Sequence, residues 1–373
     1  MAWYSTSGVV SPDRRPERRA ALLERFEHEQ LDGLIVSHLP NIRYLTGFTG
    51  SSATLLVLRH ENVFFSDFRY RTQADDEVAG AARIEIYESD IWDRLWAVLG
   101  EYAGVELLGF ESGAVSAHTA QRIASADVKP IRQPMAAMVE PMRERKSPEE
   151  IENIRSAATL AGQALETVLD TIRVGDREQD IAARLEYELR TLGSEWHPFP
   201  TIVASGPRSA LPHACTSTRE VDAGDFLLLD FGAQVQGYCA DITRTVVVGA
   251  RADERQRTLY DLVREAQQAA IQHVRPGMKG READHTARTI IEQRGFGDAF
   301  GHSLGHGLGL EVHEAPRLSR KNESELPAGA VVTIEPGVYV PGWGGVRIED
   351  DVWLRDSGAE LLSDGKTELM ELV

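Results

Sequence analysis

Cysteine is nearly absent from this chain: 373 residues contain two, Cys215 and Cys239. A disulfide framework is therefore excluded, and a reducing compartment, the cytoplasm, is the expectation. Long apolar runs are missing as well. Nothing approaches the roughly 18 consecutive apolar residues of a membrane-spanning helix, and "MAWYSTSGVVSPDRRPERR" at the start holds no apolar core of signal-peptide length. Positive charge is short: 40 Lys and Arg stand against 58 Asp and Glu, a formal net charge of −18. Phosphate backbones and polyanionic membranes are recognised through a basic footprint, so neither nucleic acid nor membrane is an expected partner. Clustered carboxylates can instead hold cations.

What is present reads as an arm and two domains. Residues 1–16 are polar and interrupted by Pro12 and Pro16. Residues 17–145 open with a helical pattern, "ERRAALLERFEHEQLDG", ending at Gly33. Short apolar runs ("LIVS", "TLLVL", "VFFSD") then alternate with helical stretches such as "IWDRLWAVLGEYA", the pattern of an α/β domain. Residues 146–373 begin with a capping box: Ser147 as N-cap, Pro148 in the first helical position and Glu150 three residues after the serine. Ile151, Ile154, Ala158, Ala161, Leu165 and Val168 then form a stripe at helical period. A second helix, from about Arg177 to Leu192, carries Ile181, Leu185, Leu189 and Leu192 on one face. The two cysteines read as small packed residues.

The second domain contains an internal repeat. "AGDFLLLDFG" (223–232) and "AGAVVTIEPG" (328–337) align without gaps, so Asp230 falls on Glu335. Further on, Gly237 and Asp241 fall on Gly345 and Glu349. In the preceding helical parts, Gly175 and Gly193 match Gly277 and Gly295. Residues 147–373 thus read as two copies of a helix–helix–hairpin unit related by a pseudo-twofold.

Each copy carries two acids on one hairpin. In "DFLLLDFGAQVQGYCADITRTVVV" a turn centred between Val235 and Gln236 pairs Asp230 with Asp241. In "VVTIEPGVYVPGWGGVRIEDDV" a turn centred on Gly342 pairs Glu335 with Glu349. Directly opposed residues share a face, with Cβ atoms about 5 Å apart. Carboxylates held that close repel one another unless a proton or a cation lies between them. Four of them balance two divalent cations. Oxygen ligands suit Mn²⁺ or Mg²⁺, and one added imidazole favours Mn²⁺, Co²⁺, Fe²⁺ or Zn²⁺.

"GHSLGHGLGLEVHE" (301–314) supplies imidazoles at His302, His306 and His313. Its glycines at 301, 305, 307 and 309 argue against a helix, so the spacing of His302 and His306 is not a helical zinc pair. The segment reads as an extended strand bringing backbone and imidazoles to one site. One histidine serves as a metal ligand and the others face substrate, with His213 of "SALPHACTS" as a possible fourth member.

At this point the sequence resembles the "pita-bread" metallopeptidases, in their proline-peptidase branch of aminopeptidase P and prolidase. The matching stretches are "TIVASGPRSALPH", "LLLDFGAQVQGYCADITRT", "GHSLGHGLGLEVHE", "VVTIEPGVY" and "GGVRIEDD", collinear over residues 201–351, joined by "NIRYLTGFTGSSA" and "DFRY" upstream. The resemblance implies an α+β fold, with an N-terminal creatinase-like (ribonuclease H-like) α/β domain and a C-terminal pita-bread catalytic domain. It implies five metal ligands: Asp230 terminal, Asp241 and Glu349 bridging, His306 on one metal and Glu335 on the other. Mn²⁺ is the expected ion, with Co²⁺ or Zn²⁺ as alternatives. It further implies that His213, His302, His313 and Arg347 face the substrate, a peptide with proline second. The expected activity is that of an Xaa-Pro aminopeptidase using a hydroxide between two metals. Glu335 serves as proton shuttle, His313 as donor to the oxyanion, and His213 and His302 line the proline subsite. Arg347 pairs with a bridging or a substrate carboxylate. A dipeptidase (prolidase) acting only on dipeptides is the alternative, and a non-catalytic binding protein on the same fold the remoter one. A homodimer is expected from the family.

Overall fold

The computed structural model describes residues 13–364 and 366–373; most of the expected N-terminal arm lies outside them. The chain divides into two compact units, residues 1–143 and 144–373. No helix among the described residues is long and apolar enough to cross a membrane.

The first unit is built on a six-stranded sheet. Its strands are β1 (Gly33–Val36), β2 (Thr54–Leu58), β3 (Asn62–Asp67), β4 (Arg83–Tyr87), β5 (Leu107–Glu111) and β6 (Ile131–Met135), in the order β4-β3-β2-β1-β5-β6. β1–β2 and β2–β3 are antiparallel; β1–β5, β5–β6 and β3–β4 are parallel. The opening helix runs over Arg15–Glu29, two residues earlier than the sequence pattern places it. It stops at Gln30, left-handed at φ 58°, so Gly33 opens a strand rather than closing a helix.

The second unit begins with the helix Pro148–Leu169, whose capping box forms as the sequence requires. All six stripe residues from Ile151 to Val168 are buried. The next helix, Glu178–Leu192, buries Ile181, Leu185 and Leu189; Leu192, its last residue, is exposed, against expectation. Two sheets follow. One has the order β19-β11-β8-β7, from β7 (Ile202–Ser205), β8 (Phe226–Phe231), β11 (Ile242–Val248) and β19 (Glu371–Leu372). The short β9 (Gln234–Val235) and β10 (Tyr238–Cys239) close the β8–β11 hairpin. The other has the order β13-β12-β14-β17-β18, from β12 (Gly305–Gly307), β13 (Glu314–Leu318), β14 (Val331–Ile334), β17 (Asp350–Arg355) and β18 (Gly358–Leu361). β15 (Gly337–Val340) and β16 (Gly344–Arg347) form its hairpin extension. Helices Glu254–His273 and Gly280–Gln293 precede it.

The repeat is visible in backbone detail. Gly175 and Gly277, Gly193 and Gly295, and Gly224 and Gly329 all hold positive φ, in turns where a Cβ would be strained. The amides of Gly175 and Gly277 donate to Val221 O and Leu326 O, themselves a repeat pair. One pairing is revised. Gly237 matches Gly342, each at φ 77° in a hairpin turn, and not Gly345.

The first hairpin also departs from the expected register. Its turn residues are Gln236 and Gly237, at φ 49° and 77°, the two positive values of a type I′ turn, so Val235 pairs with Tyr238. Asp230 is consequently opposite Thr243, and in the same register Asp241 falls opposite Gly232. A slip of two residues preserves the face, so Asp230 and Asp241 still point to one side. The second hairpin keeps the expected register. Gly337 pairs with Arg347 and Ile334 with Asp350, so Glu335 lies across from Glu349. The hairpins meet at a bridge between Thr243 and Glu349.

Candidate metal centre

Five of the sequence-selected side chains converge where the hairpins meet. Ligand atoms of Asp241, His306 and Glu349 all lie within 4.8 Å of one another. Nε2 of His306 is 3.4 Å from Glu335 Oε1 and 3.7 Å from Asp241 Oδ2. Its Nδ1 is 3.1 Å from Gly307 O, a group that only accepts, so Nδ1 carries the proton and Nε2 offers its lone pair to the carboxylates. Asp230, on β8, is held by the Arg347 guanidinium through one oxygen; its other oxygen, Oδ1, is buried without a hydrogen-bond partner.

The electrostatics are those of a cation site. Burial, then the neighbouring acids, holds the carboxyl groups of Asp241 and Glu335 well above their ordinary range; Glu349 is pushed up to about 8 by the same causes. Burial lowers His306 to about 3 and His302 to about 4, which keeps both imidazoles neutral. Three buried acids and the half-buried Glu335 surround a neutral imidazole, with the buried guanidinium of Arg347 behind them. The donor set of four carboxylates and one imidazole, one oxygen unpartnered, fits two divalent cations of hard or borderline character.

Arg347 is the hub behind the acids. It donates from Nε to Thr243 Oγ1 (3.1 Å), from Nη1 to Tyr339 Oη (2.8 Å) and Pro212 O (3.2 Å), and pairs through Nη2 with Asp230. The carboxylate it pairs with is Asp230, the expected terminal ligand, and not one of the two expected to bridge. Thr243 in turn donates to Glu349 Oε2 (2.6 Å). Tyr339 lies 2.9 Å from His302 Nε2, and His302 Nδ1 is 2.8 Å from Ser303 O. By the same logic as His306, His302 presents Nε2 as acceptor to the tyrosine.

Two other residues, Thr333 and Asp351, support these side chains. Thr333 Oγ1 accepts from the His306 amide (3.1 Å) and donates to Glu335 Oε1 (3.3 Å). Asp351 accepts from the Asp241 amide (3.1 Å). Sequence reasoning missed Thr243, Tyr339, Thr333 and Asp351. Strand alternation alone would have pointed to three of them, since Thr243, Thr333 and Asp351 each stand two residues from a selected ligand.

The remaining histidines are placed as follows. The His313 ring stacks edge-on against His306, centroids 4.3 Å apart, and is exposed on its outer side. Burial and then the charge of Arg317 lower its pKa. His213 is exposed on the loop after β7, within electrostatic reach of His302 and His313. A cavity of about 520 Å³ opens beside His302, with Phe300, Ser303, Arg320 and Lys321 in its walls. The histidine segment is extended only at Gly305–Gly307; bends make up the stretch to His313. Cys239 is packed as expected, whereas Cys215 is exposed.

This fold and this cluster define a metallopeptidase. The chain belongs to metallopeptidase family M24, in its proline-peptidase branch: residues 152–356 match that family, and residues 18–144 match the creatinase/prolidase N-terminal domain. Among individual proteins, it is 41% identical over 342 residues to the uncharacterized peptidase YqhT of Bacillus subtilis, covering 92% of this chain and 96% of that one. It is also similar to the structure of an Xaa-Pro dipeptidase from Bacillus anthracis (37% identity, TM-score 0.92, covering 96% of this chain and 100% of the other). A third relative is an X-Pro aminopeptidase from Thermotoga maritima (36% identity, TM-score 0.88, 95% and 99%).

Proposed function

We propose that this metallopeptidase removes the N-terminal residue from peptides with proline in second position, using two divalent cations, Mn²⁺ foremost. One observation carries the reading: Asp230, Asp241, Glu349 and His306, all buried, form one donor set with the half-buried Glu335, and His213, His302 and His313 stand beside it. The bound cations supply Lewis acidity and water made acidic near neutral pH.

The chain's own groups do the rest. Glu335, at the edge of the cluster, accepts the water's proton and returns it to the leaving nitrogen as the C–N bond breaks. His313 donates to the carbonyl oxygen as it gains charge. His213 and His302 flank the proline ring, and the Tyr339 hydroxyl fixes the tautomer of His302. Arg347 acts behind them, holding Asp230 and, through Thr243, Glu349.

Two observations favour a second reading, an Xaa-Pro dipeptidase. The Bacillus anthracis relative carries that name. Arg317 is exposed and its charge reaches His306 and His313, a suitable place to bind the carboxylate of a terminal proline. Metal-stripped protein, with and without added Mn²⁺, is to be offered Ala-Pro-Ala and Ala-Pro. Mn²⁺-dependent alanine release from the tripeptide is the expected result. Release from Ala-Pro alone selects the dipeptidase. Release from neither, in the presence of Mn²⁺, Co²⁺ or Zn²⁺, overturns both.

A further inference from the structure

The loop that carries His213 leaves β7 at Ser205 and returns at Ser217. Both of its ends are tied to one carboxylate, that of Glu178, the first residue of helix Glu178–Leu192 and fully buried. Glu178 Oε1 accepts from the Ser205 amide (2.8 Å) and hydroxyl (2.9 Å). Oε2 accepts from the Ser217 amide (3.0 Å) and hydroxyl (2.6 Å). Arg208 Nε, within the loop, lies 3.2 and 3.1 Å from the two oxygens. The far side of the loop hangs on the metal centre's own strand: Ser209 Oγ accepts from the Gly345 amide (2.8 Å) and Pro212 O from Arg347 (3.2 Å).

The repeat separates what this carboxylate adds from what the fold requires. In the first copy the amides of Glu178 and Gln179 donate to Arg219 O and Ser217 O. In the second copy the amides of Gly280 and Arg281 donate to Ser324 O and Asn322 O, at the matching positions. Helix-to-loop docking therefore recurs with no carboxylate: Gly280 stands where Glu178 stands, and a Cβ there would lie 2.3 Å from Arg317 O. The clamp is particular to the loop that carries His213.

We propose that Glu178 is a positioning residue that fixes the His213 loop, and through it the imidazole, at the substrate side of the metal centre. This rests on the reading that His213 meets the substrate. Gln cannot replace the clamp. Its amide nitrogen would face the amide and hydroxyl donors of one serine, and Arg208 would lose its counter-charge.

The test is a double-mutant cycle on the Mn²⁺-loaded protein with an Xaa-Pro peptide, combining Glu178→Gln and His213→Ala. Expected is a loss of about tenfold or more in kcat/KM for each single variant, with bound Mn²⁺ unchanged. The double variant should be no worse than His213→Ala alone, and amide exchange over residues 206–217 should rise in Glu178→Gln. Multiplicative losses, or a Glu178→Gln variant as active as the parent, overturn the proposal and leave the role of His213 standing. A His213→Ala variant with full activity instead removes that role, and the proposal with it. If Glu178→Gln does not fold, Ser217→Ala, which removes one hydroxyl from the clamp, enters the same cycle with the same criteria.

Discussion

The chemistry of single residues here is governed by burial. Arg347 serves Asp230, Thr243 and Tyr339 at once, which a planar five-donor guanidinium can do and an ammonium cannot. Arg347→Lys should retain the charge yet lower kcat/KM about 10- to 100-fold, the usual cost of disturbing groups behind metal ligands; wild-type kinetics would show the hub to be dispensable. Asp241→Ala and Glu349→Ala should each abolish both metal binding and turnover, and full activity in either would sink the two-metal reading. His313→Ala should slow turnover with metal retained. The buried acids also set a pH dependence. In metal-free protein Glu349 keeps its proton to about pH 8, whereas the unfolded chain releases it near the ordinary glutamate value of 4.5. Its contribution to stability is therefore complete at low pH and is lost as pH rises through about 8. The depressed His302 and His306 act in the opposite sense, but only below their unfolded value of 6.5. Between pH 6.5 and about 8.5 the unfolding midpoint of the chelated protein should fall, and added Mn²⁺ should flatten the curve. A midpoint that rises over this interval would contradict the assignment.

Among the elements, the hairpins decide how the acids meet. Alternation in "DFLLLDF" and "ADITRT" put Asp230 and Asp241 on one face from sequence alone, whereas the register depended on the turn. A Gln-Gly pair at two positive φ values moves it by two residues. The reason is steric: Gly237 takes the left-handed position more readily than its neighbours, and the turn follows the glycine. Gly232 is a second constraint, since a Cβ there would sit 2.1 Å from Ala240 O, next to Asp241. Gly232→Ala should cost about 1–3 kcal/mol and weaken metal binding as well. A variant with unchanged denaturation midpoint and metal affinity would mean that the strand yields. The helix Pro148–Leu169 needed no such help. Its cap, first-turn acids and apolar stripe agree, so its start was readable to the residue.

For the whole molecule, the centre is shared between two copies of one motif, with candidate ligands from β8 and the β10–β11 junction in the first and from β12, β14–β15 and β16–β17 in the second. Two cations would therefore bind the halves together. At a free Mn²⁺ concentration 100 times its dissociation constant, the catalytic unit should gain about 2.7 kcal/mol against unfolding. Differential scanning with and without chelator checks this, and Asp241→Ala should remove the shift.

The sequence by itself determined the alternation of elements, the internal repeat, the shared face of the two acids on each hairpin and the non-helical character of the glycine-rich histidine segment, because each follows from local periodicity, capping or turn chemistry. It also marked the five side chains that converge where the hairpins meet, once the resemblance had chosen His306 among the imidazoles. Only the tertiary structure decided the partner of Arg347, the linkage of Tyr339 to His302 and of Thr243 to Glu349, and the clamp of Glu178 on the His213 loop. Those contacts join residues separated by tens to more than a hundred positions. Their geometry is fixed by the packing of one hairpin on another, which no local pattern encodes.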